Sequence, residues 1–194
     1  LFGARRQRRV PLVFQSNSWQ HGTYLGATLS SETTAAAVGK GGVVRRDPMA
    51  MLPFCGYNMA DYFTHWLEMG KRIPNPPKIF HVNWFRKDEK GKFMWPGFGE
   101  NLRVVEWVLA RCAGEGKANK TPIGFVPTKD ALDLSGLSLP AATLDKLLEV
   151  SREDWQRELE GHKSFFDGFG KRLNAELKRQ YEALRDRLHD KVPA

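Results

Sequence analysis

The sequence predicts an α/β fold: a mixed sheet with peripheral helices and a C-terminal helical segment. Three observations predict it. Val10 to Phe14 and Lys78 to Phe85 have strand composition, Met59 to Met69 and Asn101 to Cys112 carry apolar residues at helical spacing, and strand, loop and helix follow one another along the chain. With 41% hydrophobic and 27% charged side chains, the 194 residues suit a packed core and not a disordered or collagen-like chain. No repeat and no Ser, Gln or Pro-rich linker divides the chain, so 1–194 is read as one unit.

Taken in order, Val10 to Phe14 is a short buried strand, and Thr23 to Leu29 is a second strand candidate with a small-residue interior. Thr33 to Gly42 lacks bulky apolar anchors and reads as a mobile loop, about 33–43, serving either as a solvated connection or as a lid. Tyr62, Trp66 and Met69 share a helical face, and Pro74, Pro76 and Pro77 end that run. After the strand at Lys78 to Phe85, the helix from Asn101 is expected to turn Val104, Val105, Val108 and Leu109 to one side. The tail, about 141–190, reads as helical. Ser151-Arg152-Glu153-Asp154 resembles a capping box, and Leu173, Leu177, Tyr181, Leu184 and Leu188 form an amphipathic stripe. Gly161, Gly168 and Gly170 suggest breaks before that stripe.

Thirty Lys and Arg against 22 Asp and Glu leave +8, and residues 151–194 are nearly balanced, so the first 150 carry most of the excess. An anionic partner fits: a nucleotide, a polynucleotide or an acidic metabolite. Cys55 and Cys112 match no CxxC spacing and argue for a reducing, cytoplasmic setting and against structural zinc. No apolar run approaches the ~20 residues needed to span a bilayer, so no membrane partner is expected. The basic run Ala4 to Arg9 is followed by too short an apolar stretch for a signal peptide. A start at Leu1, in an apolar strand end, suggests a fragment of a longer polypeptide.

Chemistry concentrates between Ile79 and Asn101. Trp84, Phe85, Phe93, Trp95 and Phe98 crowd fifteen residues, separated by basic and glycine positions. They form either an ordinary core cluster or a set of faces that sandwich a purine. Pro96-Gly97-Phe98-Gly99-Glu100-Asn101 favours the second use, because glycines beside a Phe allow close backbone approach to a flat ligand and Asn101 can read a base edge. Gly97-x-Gly99 is no dinucleotide fingerprint, and Gly39-Lys40-Gly41-Gly42 is no P-loop. Phosphate would instead meet Arg5 and Arg6, whose guanidiniums form paired, charge-assisted bonds to phosphate oxygens. His21, His65, His81, His162 and His189 show no metal spacing, and no catalytic triad can be argued.

These motifs, with Phe2-Gly3-Ala4-Arg5-Arg6, Val10-Pro11-Leu12-Val13, Trp19-Gln20-His21-Gly22, Ser31 to Ala37 and Asp47 to Asn58, resemble in order the C-terminal lobe of GTP-dependent phosphoenolpyruvate carboxykinases, most closely the bacterial members. The resemblance runs from Phe2 to about Pro127 and fades in the helical tail. It implies a nucleotide-binding lobe of an enzyme converting oxaloacetate and GTP to phosphoenolpyruvate, GDP and carbon dioxide. By position, Phe85 and Phe98 would stack on guanine with Phe93 beside them, and Trp84 would shape the pocket. Phe98, Gly99, Glu100 and Asn101 would contact the base edge.

Arg5 would act catalytically on the phosphates, with Arg6 as a second cation. Thr33, Thr34, Ala35, Ala36, Ala37, Gly39 and Lys40 would belong to the active-site lid. Ser30 stands where vertebrate members carry Arg, so a lid-edge cation is not carried over. The family's P-loop, its Mn2+ and Mg2+ ligands and its oxaloacetate-binding residues have no match here. They are expected in a missing N-terminal part, without which this segment would be inactive. A monomer without nucleic acid is expected. The alternatives are a basic, aromatic-rich RNA-binding module and an interaction domain using the tail helix.

Overall fold

The computed structural model describes residues 1–7, 10–33 and 43–189. In chain order the elements are β1 (Phe2–Gly3), β2 (Val13–Gln15), α1 (Trp19–Ala27), β3 (Ser30–Glu32), β4 (Val44–Arg46), α2 (Met59–Arg72), β5 (Phe80–Val82), α3 (Asn101–Ala113), β6 (Ala118–Thr121), β7 (Gly124–Pro127), α4 (Ala141–Leu148), α5 (Arg152–Asp167) and α6 (Ala175–His189). Short 3-10 turns at Pro48–Ala50, Leu52–Phe54, Phe98–Glu100 and Gly170–Arg172 join them.

Five strands form one sheet in the order β1-β5-β2-β7-β6, with β1 parallel to β5 and the other pairs antiparallel. The mixed α/β class read from the sequence is therefore the one observed. Alternation along the strands splits the core in two, because successive side chains leave opposite faces. Phe14 joins one cluster, with Tyr24, Phe63, Trp155 and Leu184. Its neighbour Val13 joins the other, with Phe80, Val82, Trp107 and Leu147. Helices thus cover both faces.

Four local expectations are corrected. Thr23 to Leu29 is not a strand: it is mostly the second half of α1, whose N-terminus is capped by the Ser18 hydroxyl accepting from the His21 N–H at 3.1 Å. Every residue from His21 to Ala27 is buried, so no polar stripe betrays the helix. Its glycines serve close packing; a Cβ at Gly26 would stand 2.8 Å from the Phe2 ring. The strand expected from Val10 to Phe14 is β2, and it begins at Val13. On α3 the buried face is Val104, Trp107 and Val108, while Leu109 is exposed, since the helical turn centres that face on Trp107.

Gly161 does not break the tail: α5 runs through it, and a Cβ there would strike the Arg46 guanidinium. The helix at Met59, the Ser151 cap (its hydroxyl accepts from the Asp154 N–H at 3.2 Å) and the stripe of Leu177, Leu184 and Leu188 are found as expected. No helix among the described residues is long and apolar enough to cross a membrane.

A second, two-stranded sheet pairs β3 with β4 and brings together the two ends of the expected lid, where Thr33 N–H donates to Val43 O at 2.9 Å. The lid residues Thr34, Ala35, Ala36, Ala37, Gly39 and Lys40 lie outside the described residues.

Candidate functional site

The site grows from the end of β5. Asn83 is fully buried there and uses its whole amide: Oδ1 accepts from the backbone N–H groups of Arg6 (3.1 Å) and Phe85 (3.3 Å), and Nδ2 donates to the carbonyls of Arg6 and Val10, both at 2.9 Å. One side chain therefore ties the Arg5-Arg6 segment to the start of the aromatic turn. Lys87 N–H adds a bond to Gln7 O at 3.0 Å. Sequence reading missed Asn83; its signal was a polar residue inside the apolar run Ile79 to Phe85.

Beyond Phe85 the chain folds back as a hairpin. Met94 N–H donates to Arg86 O at 2.9 Å, and Asp88 Oδ1 accepts from Lys90 and Lys92 N–H at the tip. This places Phe85 against Phe93, ring centroids 6.0 Å apart and nearly perpendicular. The Arg5 guanidinium stands 5.0 Å from the Phe85 centroid and Lys87 Nζ 5.1 Å from that of Phe93. Phe93 is 52% exposed and Phe98 is 94% exposed.

Phe98 also has a φ of 50°, the left-handed region that costs a bulky L-residue about 1–2 kcal/mol. A large apolar ring that is both strained and bare does nothing for the core. Such an outlier points to a ligand. Gly97, at φ 78°, supplies the turn that presents it, and nothing stands within 4 Å of a Cβ built at Gly99.

Helix α3 starts immediately afterwards. Glu100 is held by the Arg103 guanidinium, which also donates to Asp133 O at 2.6 Å and Ser135 O at 3.0 Å, so its carboxylate is engaged in the protein. The side-chain oxygen of Asn101 accepts from the Trp95 indole N–H at 2.9 Å. Trp95 itself belongs to the core, and Trp84 packs part-buried against the same cluster. The structure thus gathers Arg5, Phe85 and Phe93 in one contact set and places Phe98 to Asn101 at the start of α3, with no ring contact between Phe98 and that set.

Arg6 behaves differently from its neighbour and corrects the expectation of a second phosphate cation. It is 3% exposed, and its guanidinium donates to Ser30 Oγ at 2.6 Å and to both oxygens of Glu158. Arg46 reaches the same place, 3.5 Å from Glu158 and 3.3 Å from Ser30 Oγ. Burial alone would raise the Glu158 carboxyl, but the Arg6 bonds and the Arg6, His162 and Arg46 electrostatics outweigh it and hold the group at about 2. Burial, with nearby arginine charge, pushes His21, His81 and His162 down to about 3, so all three are neutral inside the fold. Glu158 was missed in the sequence, although Trp155, Glu158, Leu159 and His162 share one helical face.

Two larger grooves, of about 400 and 610 Å³, lie over α5–α6 and beside β6–β7, and hold none of the expected site residues. Charged groups on their walls pair with one another, as in Lys163–Asp167 at 2.8 Å and Lys129–Asp145 at 2.7 Å. Arg5, by contrast, meets no carboxylate among the described residues. No three His, Cys, Asp or Glu side chains among the described residues converge as a metal shell.

The fold is thus a mixed-sheet α/β domain that leaves the Phe93 and Phe98 rings exposed and the Arg5 guanidinium without a carboxylate among the described residues. Comparison makes the class specific. Residues 1–187 match the profile of the phosphoenolpyruvate carboxykinase C-terminal P-loop domain, and the chain belongs to this family. It is 50% identical over 188 residues to the phosphoenolpyruvate carboxykinase [GTP] of Anaeromyxobacter dehalogenans, covering 97% of this chain and 32% of that protein. The Neocallimastix frontalis protein of the same name is 52% identical over 191 residues, with 97% and 31% covered. That of Arthrobacter sp. strain FB24 is 50% identical over 192 residues, with 98% and 31% covered. The chain spans about a third of the length of these relatives.

Proposed function

We propose that the full-length protein converts oxaloacetate and GTP to phosphoenolpyruvate, GDP and carbon dioxide, and that this chain supplies its guanine pocket, one phosphate-contacting arginine and the lid. The observation that carries this is Phe98, held strained and 94% exposed at the mouth of α3 in a family whose members are named for GTP. Phe85 and Phe98 stack on the base with Phe93 beside them, Trp84 backs the pocket, and Gly99 lets the backbone approach. Glu100 contributes through its backbone, because Arg103 holds its carboxylate.

In the reaction, loss of carbon dioxide leaves the electron pair of the broken C–C bond in an enolate. The enolate oxygen then takes the γ-phosphoryl group as GDP departs. Arg5 leaves the Phe85 ring to neutralise phosphate charge during transfer. Mn2+, Mg2+ and oxaloacetate are held by residues outside this chain. The lid, Thr33 to about Val43, shields the enolate from water, and the β3–β4 pair anchors both its ends. The protein acts as a cytoplasmic monomer; both cysteines are free, as a reducing compartment allows. The RNA-binding alternative finds no support among the matched relatives.

The test is nucleotide titration of the full-length polypeptide. GTP is expected to bind more tightly than ATP, and Phe98→Ala to weaken GTP roughly tenfold, the size of a lost stacking contact. Equal affinity for the two nucleotides, or unchanged GTP binding in Phe98→Ala, would reject the pocket. Shortening the lid between Thr33 and Val43 is expected to leave affinity nearly intact while phosphoenolpyruvate formation falls. Preserved turnover would reject that role.

A further inference from the structure

We propose that Trp95 decides which purine the site accepts, by fixing the amide of Asn101 so that only its N–H donors face the base. This rests on the base-binding reading above. Trp95 is 1% exposed and wedged into the second core cluster, so its ring has no freedom to turn. Its indole nitrogen is a donor and never an acceptor. The group it meets at 2.9 Å must therefore be the carbonyl end of the Asn101 amide, which removes the usual ambiguity between the two amide orientations.

The other end, Nδ2, remains accessible and donates to no acceptor among the described residues. Asn101 is itself anchored as the first residue of α3, its N–H donating back to the Phe98 carbonyl. A pair of donors in a single orientation thus stands three residues after the exposed Phe98, on the same turn at the start of α3.

The two purines differ in what they offer such a group. Guanine presents acceptors at O6 and N7, whereas adenine replaces O6 with an amino donor. An asparagine reads adenine by accepting from that amino group with Oδ1 while donating to N7. Here Trp95 already uses Oδ1. The amide is left matched to a 6-oxopurine and mismatched to a 6-aminopurine. The selecting residue is thus a core tryptophan acting through Asn101, whose amide makes the contact at the 6-position of the base.

The experiment compares GTP, inosine triphosphate and ATP binding by the full-length protein. Wild type is expected to hold GTP and inosine triphosphate alike and ATP more weakly, because the first two share the 6-oxo group. Trp95→Phe keeps an aromatic side chain in the core but removes the indole N–H, freeing the amide to turn over. The GTP-to-ATP preference should fall about fivefold or more. A packing defect alone would weaken all three nucleotides together.

Asn101→Asp retains an acceptor for Trp95 but presents oxygen to the base, so the preference should reverse toward ATP. It also decides the matter if Trp95→Phe fails to fold. A folded Trp95→Phe with the wild-type ratio, or an Asn101→Asp protein that still prefers GTP, would overturn the inference alone. Equal binding of all three nucleotides by wild type would overturn it together with the base-binding reading.

Discussion

Arg5 and Arg6 are neighbours in sequence and opposites in environment. Arg6 is enclosed with Glu158, Arg46 and Ser30, every partner supplied by the protein. Arg5 rests on the face of Phe85, at the edge of a turn whose rings are largely bare. The contrast separates two uses of the same side chain. A buried cation bonded to the protein's own carboxylate and hydroxyl holds the fold together, whereas one that leans on an aromatic face and meets no carboxylate among the described residues is available to a ligand.

If that division is right, removing a member of the enclosed cluster should unfold the protein rather than blunt recognition. Glu158→Ala removes the carboxylate shared by the buried Arg6 and the half-buried Arg46 and is expected to cost about 3 kcal/mol in denaturant unfolding. Arg5→Ala should leave the denaturation midpoint almost unmoved and weaken GTP in the full-length protein. The opposite ranking would erase the distinction between the two arginines.

Acid provides the next largest effect. The Glu158 carboxyl is depressed in the fold from 4.5 to about 2, so its contribution is fully present above about pH 4.5 and is lost as pH falls toward 2. That loss is on the order of 3 kcal/mol. His21, His81 and His162 are neutral inside and protonate on unfolding, so their part of the loss begins earlier, below about pH 6.5. Denaturation midpoints followed from pH 7 to 3 should therefore start to fall below about pH 6.5, where the three histidines take up protons on unfolding, and fall somewhat faster below 4.5, where Glu158 adds a fourth. A flat profile would contradict the enclosed cluster.

Asn83 joins the two regions, and its loss should be felt in both. Asn83→Ala leaves buried backbone groups of Arg6, Val10 and Phe85 without partners, an expected loss of about 2–3 kcal/mol. GTP affinity should fall at the same time, because Arg5 and Phe85 lose their common tether. A smaller change of opposite sign is expected at Phe98→Gly, which relieves the left-handed strain and should raise stability by about 1 kcal/mol while nucleotide affinity drops. A variant that lost stability there would show Phe98 to be a core residue after all.

The sequence disclosed elements whose burial leaves a stripe, such as α2 and α6, and motifs whose residues lie close together, such as the aromatic turn. It concealed α1, because a helix buried on all sides has no polar face to set its period. It also concealed the fate of Arg6. That depends on Glu158, 152 positions away, and no local pattern reports such a pairing. Asn83 was overlooked for a related reason, since an asparagine at a strand end resembles any turn former until its four partners are seen.

Gly161 illustrates a practical corollary. Engineers who rank sites by helix propensity would choose it first, because exchanging a mid-helix glycine for alanine ordinarily gains about 1 kcal/mol. On α5 the added methyl would meet the guanidinium of Arg46, so a change made to improve thermal tolerance would push that side chain away from Glu158 and Ser30.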